Sequence, residues 1–322
     1  MRYSTLGNTG IKVSCIGLGT ATFGVAPLAD DAERLLGRAL DLGINLVDTA
    51  NSYGNQARFD RAGAPPAAAR ASAEEIVGRA IGARRYEVVL CSKVMEPVGA
   101  GPNERGLSRR HIFDQIEASL GRLGTDHLDL YYAHHPDPAT PIEQTLRAFE
   151  DLVRQGKIRY AALSTYPAWL MTEALWTADR CGFAPTVCNQ IAYNLAHRAA
   201  EQEMLPACRK LGVGVTVFSP LAGGLLAGPA VRQRPVAGGL RWGGSGFSTR
   251  QIALAERLEA VAAESGQPPA VLAIGWLVSR PGISAALIGP ETIAELEANA
   301  AAGAVDLAPD LLERVDAIRQ AD

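Results

Sequence analysis

The chain is short of cysteine, of lysine and of long apolar runs, and each shortage excludes a class of protein. Its five cysteines (Cys15, Cys91, Cys181, Cys188 and Cys208) are odd in number, lack a CxxC pair and mostly sit in apolar segments. That is the usage of a reducing, cytoplasmic compartment and not of a disulfide scaffold. No uninterrupted apolar stretch reaches the roughly 18 residues needed to cross a bilayer. The opening Met1-Arg2-Tyr3-Ser4-Thr5-Leu6-Gly7 has no apolar core for a signal peptide. With 31 basic against 34 acidic residues the net charge is only -3, so neither nucleic acid nor an anionic membrane is the expected partner. What remains is ordinary for a folded protein: 48% hydrophobic and 20% charged residues exclude wholesale disorder. At 322 residues the chain can bury most of the surface its unfolded state exposes.

Short apolar, β-branched runs recur at 13–18, 44–47, 88–91, 128–133, 158–163, 186–189, 213–218 and 285–288. Runs apolar throughout suit strands buried on both faces of a parallel sheet. Between them, apolar residues at spacings of three and four predict helices. Asp30 and Asp31 are placed to cap a helix that stops at Gly43. Ser72 with Glu75 reads as a capping box. Ser108 opens a helix that ends at Gly124, and Pro141, at a first-turn position, opens one running to Gln155. Further helices fit 167–180, 201–211, 249–265, 268–280, 292–301 and 309–319.

Eight strand–helix units predict parallel pairing with right-handed crossovers, closed into one (β/α)8 TIM barrel domain over residues 1–322. The competing open doubly wound sheet begins with a GxGxxG turn. Here Gly17-Leu18-Gly19-Thr20-Ala21-Thr22 breaks that pattern at its last position. Three connections, 54–71, 95–107 and 221–248, are too long for plain turns. All three leave the C-terminal ends of strands, the face on which barrel enzymes build their sites.

That face also collects the ionisable strand-end residues. Asp48 follows the second run, Tyr53 comes five residues later, Lys93 follows the third run and His134 ends the fourth. Singly, Asp48 reads equally as a turn residue, Tyr53 as a loop aromatic and His134 as a core or rim histidine. Lys93, however, is one of only four lysines in a chain that otherwise uses arginine. A compact ammonium there points to a role beside a titrating group. Together the four make a legible set. A phenol titrates near 10, too high for ready proton exchange at neutral pH. A nearby ammonium lowers that value, a carboxylate holds the ammonium, and an imidazole can donate to a carbonyl. Such a group protonates a carbonyl oxygen while hydride reaches the carbon, and hydride must come from a cofactor.

Six ordered segments carry a resemblance to a known family. They are 6–14, the strand-end segment Asn45-Leu46-Val47-Asp48-Thr49-Ala50-Asn51-Ser52-Tyr53-Gly54, Ser92-Lys93-Val94, 129–137 with His134-His135-Pro136-Asp137, Gly156-Lys157-Ile158-Arg159-Tyr160, and Ser219-Pro220-Leu221. Over nearly its whole length the chain resembles the aldo-keto reductases, and its long loops resemble the aryl-alcohol-dehydrogenase-like branch that includes potassium-channel β subunits. The resemblance implies a barrel that binds NADP(H) or NAD(H) without a Rossmann fold and acts on a small carbonyl compound or alcohol. It implies Tyr53 as general acid or base, Lys93 lowering its pKa, Asp48 paired with Lys93, and His134 orienting the carbonyl. It further implies Ser164 and Gln190, with Thr165 beside them, at the nicotinamide carboxamide and Phe218 against its ring. Ser219, Leu221 and Gly289 would lie along the cofactor and Asn299 at its adenine. The alternative is a cofactor-binding regulatory protein with little turnover.

Some residues depart from the family pattern. Thr165 stands where an asparagine is usual, which removes one amide, and Phe218 replaces a commoner Tyr or Trp. Glu291 and Glu295 occupy positions where NADP-dependent relatives place a cation for the 2′-phosphate. Facing the adenosine ribose, they are expected to favour NAD or weak selectivity, unless Arg232, Arg234 or Arg241 compensates. His135 is expected to point outward, and His134-His135 with Asp137 is not expected to bind metal.

Overall fold

The computed structural model describes residues 1–234 and 245–319. Among the described residues ten strands appear in chain order: β1 (Tyr3–Thr5), β2 (Lys12–Ser14), β3 (Ile16–Gly19), β4 (Leu46–Asp48), β5 (Val89–Val94), β6 (Leu128–Ala133), β7 (Ile158–Ser164), β8 (Cys188–Ala192), β9 (Gly214–Phe218) and β10 (Ile283–Ile288). The helices described are α1 (Ala29–Asp41), α2 (Ala73–Ile81), α3 (Arg109–Leu123), α4 (Ile142–Arg154), α5 (Ala168–Cys181), α6 (Met204–Leu211), α7 (Pro229–Arg232), α8 (Thr249–Ser265), α9 (Pro269–Val278), α10 (Ile293–Ala301) and α11 (Pro309–Ala317). Strands β3 to β10 close into a barrel of parallel neighbours, with β10 bonded to both β3 and β9. This is the expected (β/α)8 barrel. No helix among the described residues is long and apolar enough to cross a membrane.

The run at 13–18 divides at Cys15. Its first part belongs to an antiparallel hairpin in which Tyr3 pairs with Ser14, and only Ile16–Gly19 joins the barrel. The break is held by side-chain bonds that a continuous strand would not make. Ser14 Oγ donates to Ile16 O, and Ser14 N donates to Asn45 Oδ1 at 2.7 Å. The hairpin delivers Leu6 and Val13, both fully buried, onto the barrel interior of Leu46, Leu130, Tyr132, Cys188 and Ala285. That end of the barrel is therefore a packed plug, and a cavity opens at the C-terminal end of the strands.

Local signals in the sequence account for most helix ends. Ser72 and Glu75 form a complete capping box, Ser108 accepts from His111 N, and Gly124 closes α3 in the left-handed conformation. Three ends differ from expectation. The α1 N-cap is Leu28, without a side-chain bond, and Asp30 and Asp31 lie in the first turn, where they favour the helix dipole. Pro141 is itself the N-cap residue of α4. The segment 201–211 breaks into a short 3-10 turn and α6, which places Pro206 in the first helical turn, where its missing N–H costs nothing. Strands β5 and β8 also run further than their apolar cores, so Lys93 and Gln190 lie within strands.

The long loops are stapled. The buried Arg70 guanidinium donates to the carbonyls of Gly54, Pro65 and Gln56 at 2.6 to 2.9 Å and to Asp60. Asp137 accepts from Leu107 N, Ala139 N and the Thr140 hydroxyl. Those bonds hold its carboxyl below the usual range, although partial burial opposes them.

Gly78→Ala tests the packing of α2 against α3. Helix propensity favours Ala by about 1 kcal/mol. A Cβ at Gly78, however, would lie 2.7 to 2.8 Å from the backbone carbonyls of Leu123 and Arg122. Overpacking against backbone costs about 1–3 kcal/mol, so the variant should lose stability despite the better helix former. Urea denaturation measures the difference, and a more stable variant would refute the packing.

Candidate active site

Asp48 is the last residue of β4 and pairs in register with Cys91 of β5. Two residues further along β5, the Lys93 side chain lies fully buried beneath the cavity. Its ammonium donates to Asp48 Oδ1, to Thr49 O at 2.9 Å and to the Tyr53 hydroxyl at 3.2 Å. Three acceptors match the three donors of an ammonium, so no N–H is stranded. From β8, Gln190 Nε2 donates to the other Asp48 oxygen at 2.7 Å. The Tyr53 hydroxyl also lies 3.4 Å from His134 Nε2, with the two rings edge to face. Asp48, Tyr53, Lys93 and His134 thus meet at one point.

Backbone geometry aims the phenol. Tyr53 N donates to Ala50 O, and Tyr53 O accepts from Ala73 N. The next residue, Gly54, has φ +87°, and a Cβ there would lie 2.7 Å from Phe23 O and 2.9 Å from Ala73 N. Only glycine fits so close to backbone at that φ.

The protonation states follow from competition between burial and charge. Burial pushes the Tyr53 phenol above its ordinary value; Lys93 pulls it down and Asp48 pushes it up, and the net shift is upward. The expected lowering by Lys93 is present but is outweighed by desolvation. Burial lowers the Lys93 ammonium, but Asp48 and Tyr53 more than offset it, and it stays charged. His134 is driven well below its ordinary value by burial and then by Lys93, His135 and Arg58. It is therefore a neutral imidazole. Its Nδ1 is buried without a hydrogen-bond partner. A bare lone pair is the cheaper atom to leave unpartnered, which assigns the N–H to Nε2, facing Tyr53.

Above these groups lies a cavity of about 960 Å³, at the upper end of the range for small-molecule sites. Ser164, Thr165, Gln190, Phe218, Ser219, Leu221, Gly289, Glu291, Glu295 and Asn299 all line it. Several do not present the groups expected of them. Gln190 has committed one amide hydrogen to Asp48. Thr165, at φ +57°, turns its hydroxyl toward Ser164 O and His135 Nδ1. Glu291 and Glu295 are not open carboxylates. Arg234 pairs with Glu295 and lies 3.7 Å from Glu291, which also meets Arg61 at 3.4 Å. Glu295 further accepts from Glu291 N at 2.8 Å. Arg232 pairs instead with Glu259, and Arg241 lies outside the described residues.

His135 corrects another expectation. It lines the cavity rather than pointing away, with its ring stacked on His134 at 4.8 Å between centroids and 6° between planes. Sequence reasoning missed Arg58, Arg61 and Glu96, which sit inside long loops with no periodic signal yet line the cavity. It also missed Asn194, whose amide donates to Ser219 O at 2.9 Å. Thr20, at a strand end like the others, was findable: its N–H and hydroxyl both bond Asp48 O at 3.0 Å.

Residues 15–320 match the sequence profile of the Aldo/keto reductase family. An uncharacterized oxidoreductase of Bacillus subtilis (strain 168), YrpG, is 38% identical over 325 aligned positions, covering 99% of this chain and 96% of the relative. Probable voltage-gated potassium channel β subunits of Arabidopsis thaliana and Oryza sativa subsp. japonica are each 33% identical over 334 positions, covering 99% of this chain and 97% of theirs. The profile spans nearly the whole barrel, strand ends and loops included, and the chain belongs to the aldo/keto reductase family.

Proposed function

We propose that the protein is an NAD(P)(H)-dependent oxidoreductase that reduces an aldehyde or ketone to an alcohol, or runs the reverse. The observation that carries this reading is the Tyr53 hydroxyl held between a buried ammonium and a neutral imidazole at the cavity floor. A phenol with a raised pKa is protonated at neutral pH and can donate. As the carbonyl oxygen gains charge, the adjacent Lys93 ammonium stabilises the phenolate left behind. His134, with hydrogen on Nε2, donates to the same oxygen and orients it.

The donor set suits a nicotinamide cofactor. Gln190 keeps its Oε1 and one amide hydrogen beside the Ser164 hydroxyl, a match for a carboxamide. Phe218 offers a flat apolar wall, and Gly289 has no atom within 4 Å of where a Cβ would stand, leaving its backbone open to a close approach. Ser164, Thr165 and Gln190 would hold the nicotinamide end, Ser219 and Leu221 the middle, and Asn299 the adenine end. When bound, that group supplies the hydride that no side chain can. The regulatory-partner alternative draws support from the plant relatives, which are named as probable potassium channel β subunits. Turnover of a simple aldehyde with NADH or NADPH separates the two.

Tyr53→Phe should bind cofactor normally and lose at least about a hundredfold in turnover, the usual worth of a positioned acid. Retention of more than a tenth of wild-type single-turnover rate would remove Tyr53 from its role.

In oxidation Tyr53 must first lose its proton, so the rate should rise with pH toward its raised pKa. Lys93→Met removes the group that opposes that rise, so the profile should move further to alkaline pH. A pH series of alcohol oxidation by both proteins checks the sign, and an unchanged profile contradicts it.

Cofactor choice rests on the four charges of Arg61, Arg234, Glu291 and Glu295, which cancel. A 2′-phosphate would have to draw Arg234 from Glu295. Glu295→Gln keeps an acceptor for Glu291 N and frees that cation. It should shift the NADPH-to-NADH affinity ratio about tenfold toward NADPH, the scale of a charge-assisted hydrogen bond. Equilibrium fluorescence titration measures it. An unmoved ratio would place phosphate recognition elsewhere.

A further inference from the structure

We infer that Glu96, held between Arg58 and His135 at the cavity rim, reads a hydroxyl on the carbon beside the reacting carbonyl, so that hydroxy-aldehydes and hydroxy-ketones are the favoured substrates. The inference rests on the proposed role of Tyr53 as proton donor.

Glu96 lies two residues past the end of β5, lines the cavity and keeps a side-chain exposure of only 18%. Its two oxygens have separate partners. Oε2 takes an N–H from Arg58 at 3.1 Å, and Oε1 lies 3.2 Å from His135 Nε2. Arg58 is anchored in turn to the Ser52 hydroxyl at 3.2 Å and lies over the Phe59 ring. His135 is anchored by Thr165 Oγ1 at 2.8 Å. The Thr165 hydroxyl has one proton. It goes to Ser164 O at 2.7 Å, so the ring's Nδ1–H donates to Thr165 Oγ1, and a neutral His135 leaves Nε2 without hydrogen beside Glu96 Oε1. Burial favours this neutral state. The backbone entering the rim is unusual too: Met95 holds φ +147°, in a region that favours glycine, and Gly106 N bonds its carbonyl at 2.7 Å. Loops keep such strain where surrounding contacts over-determine it, often at ligand sites.

The rim stands close to the chemistry. The His135 ring lies flat against His134, whose Nε2 is 3.4 Å from the Tyr53 hydroxyl. A carbonyl oxygen bound at Tyr53 would share one cavity with this rim, within which the neighbouring carbon's substituent can turn toward it. A hydroxyl both donates and accepts, so it can give a hydrogen bond to Glu96 while taking one from Arg58. Arg58, Glu96 and neutral His135 carry no net charge together. That balance suits a neutral hydroxyl and gives a carboxylate no excess cation to pair with. Thr165 takes part through this contact, as the anchor of His135 rather than as a cofactor ligand alone. His135 is a positioning residue, and Glu96 and Arg58 are the groups that meet substrate.

The test compares kcat/KM for 2-hydroxypropanal and propanal, which differ by one hydroxyl, with 4-oxobutanoate and butanal as the anionic pair. Wild type should prefer 2-hydroxypropanal by about tenfold or more, the scale of one hydrogen bond to a charged group. Glu96→Gln should cut that ratio by about tenfold, chiefly through KM, with Glu96→Asp in between. His135→Phe, which keeps the stacking on His134 and removes the ring nitrogens, should cut it less. A partly unfolded preparation lowers both rates and cancels in the ratio. A wild-type ratio near one, or a ratio unmoved by Glu96→Gln, overturns the inference while leaving the oxidoreductase reading intact. Preference for 4-oxobutanoate over butanal would make Arg58 an anion receptor and also overturn it. Failure to turn over either neutral aldehyde, with cofactor bound, refutes the oxidoreductase reading and this inference with it.

Discussion

The buried pair of Lys93 and Asp48 constrains much of what surrounds it. A charge taken wholly out of water is tolerated only when paired and fully hydrogen-bonded, and removing one partner costs about 3–5 kcal/mol. Satisfying this ammonium takes the end of β4, the carbonyl of Thr49 and the Tyr53 hydroxyl. Satisfying the carboxylate takes Gln190, 142 positions away along the chain. The requirement ties three strands and one loop to a single point, and the same contacts hold the phenol proposed as proton donor. Burial that is costly for the pair is also what keeps Tyr53 protonated and His134 neutral. Stability and reactivity here draw on the same desolvation.

The rest of the barrel makes that point reachable from one side only. Leu6 and Val13 seal the interior at the strands' N-terminal end, so the C-terminal end opens into the large cavity that holds the candidate site. The loops that wall it are long but not loose. Arg70 gathers the carbonyls of the 54–71 loop, and Asp137, just past β6, ties down the end of the 95–107 loop through Leu107 N. Their bonds to backbone define positions for Arg58, which sits in a single 3-10 turn, and for Arg61 and Glu96, which lie outside helices and strands. A rigid rim of this kind can discriminate among substrates, since its polar groups need no reordering when one arrives.

Legibility in the sequence followed the strands. Lys93 and Gln190 could be found because a parallel barrel brings strand ends together whatever their separation along the chain. Tyr53 was read with them from its place five residues after Asp48 and from the company of the other three. Legibility failed where a side chain's partner comes from another loop. Glu291 and Glu295 look like free carboxylates at a helix start, yet Arg61 lies 230 positions from Glu291, and Arg234 61 positions from Glu295. His135 looked like an outward neighbour of His134, since strand alternation sends successive residues to opposite sides. It lies just past the end of β6, where alternation no longer applies, and Thr165 draws it to the rim.

The alternation of apolar runs with helical spacings, read from residues alone, was sufficient for eight strand–helix units and therefore for a closed parallel barrel. The residue types at the strand ends pointed to the proton-donating set on which the proposed chemistry rests. Both are carried by local pattern and by the small set of topologies that parallel strands allow. The balance of the site was not available at that level. Whether Lys93 or burial prevails at Tyr53, which tautomer His134 holds, and which carboxylates remain open depend on ångström distances and on exclusion of water. Those quantities exist only once loops far apart in the chain are packed against one another, because electrostatic energies scale with separation in space and with local polarity, not with position in sequence.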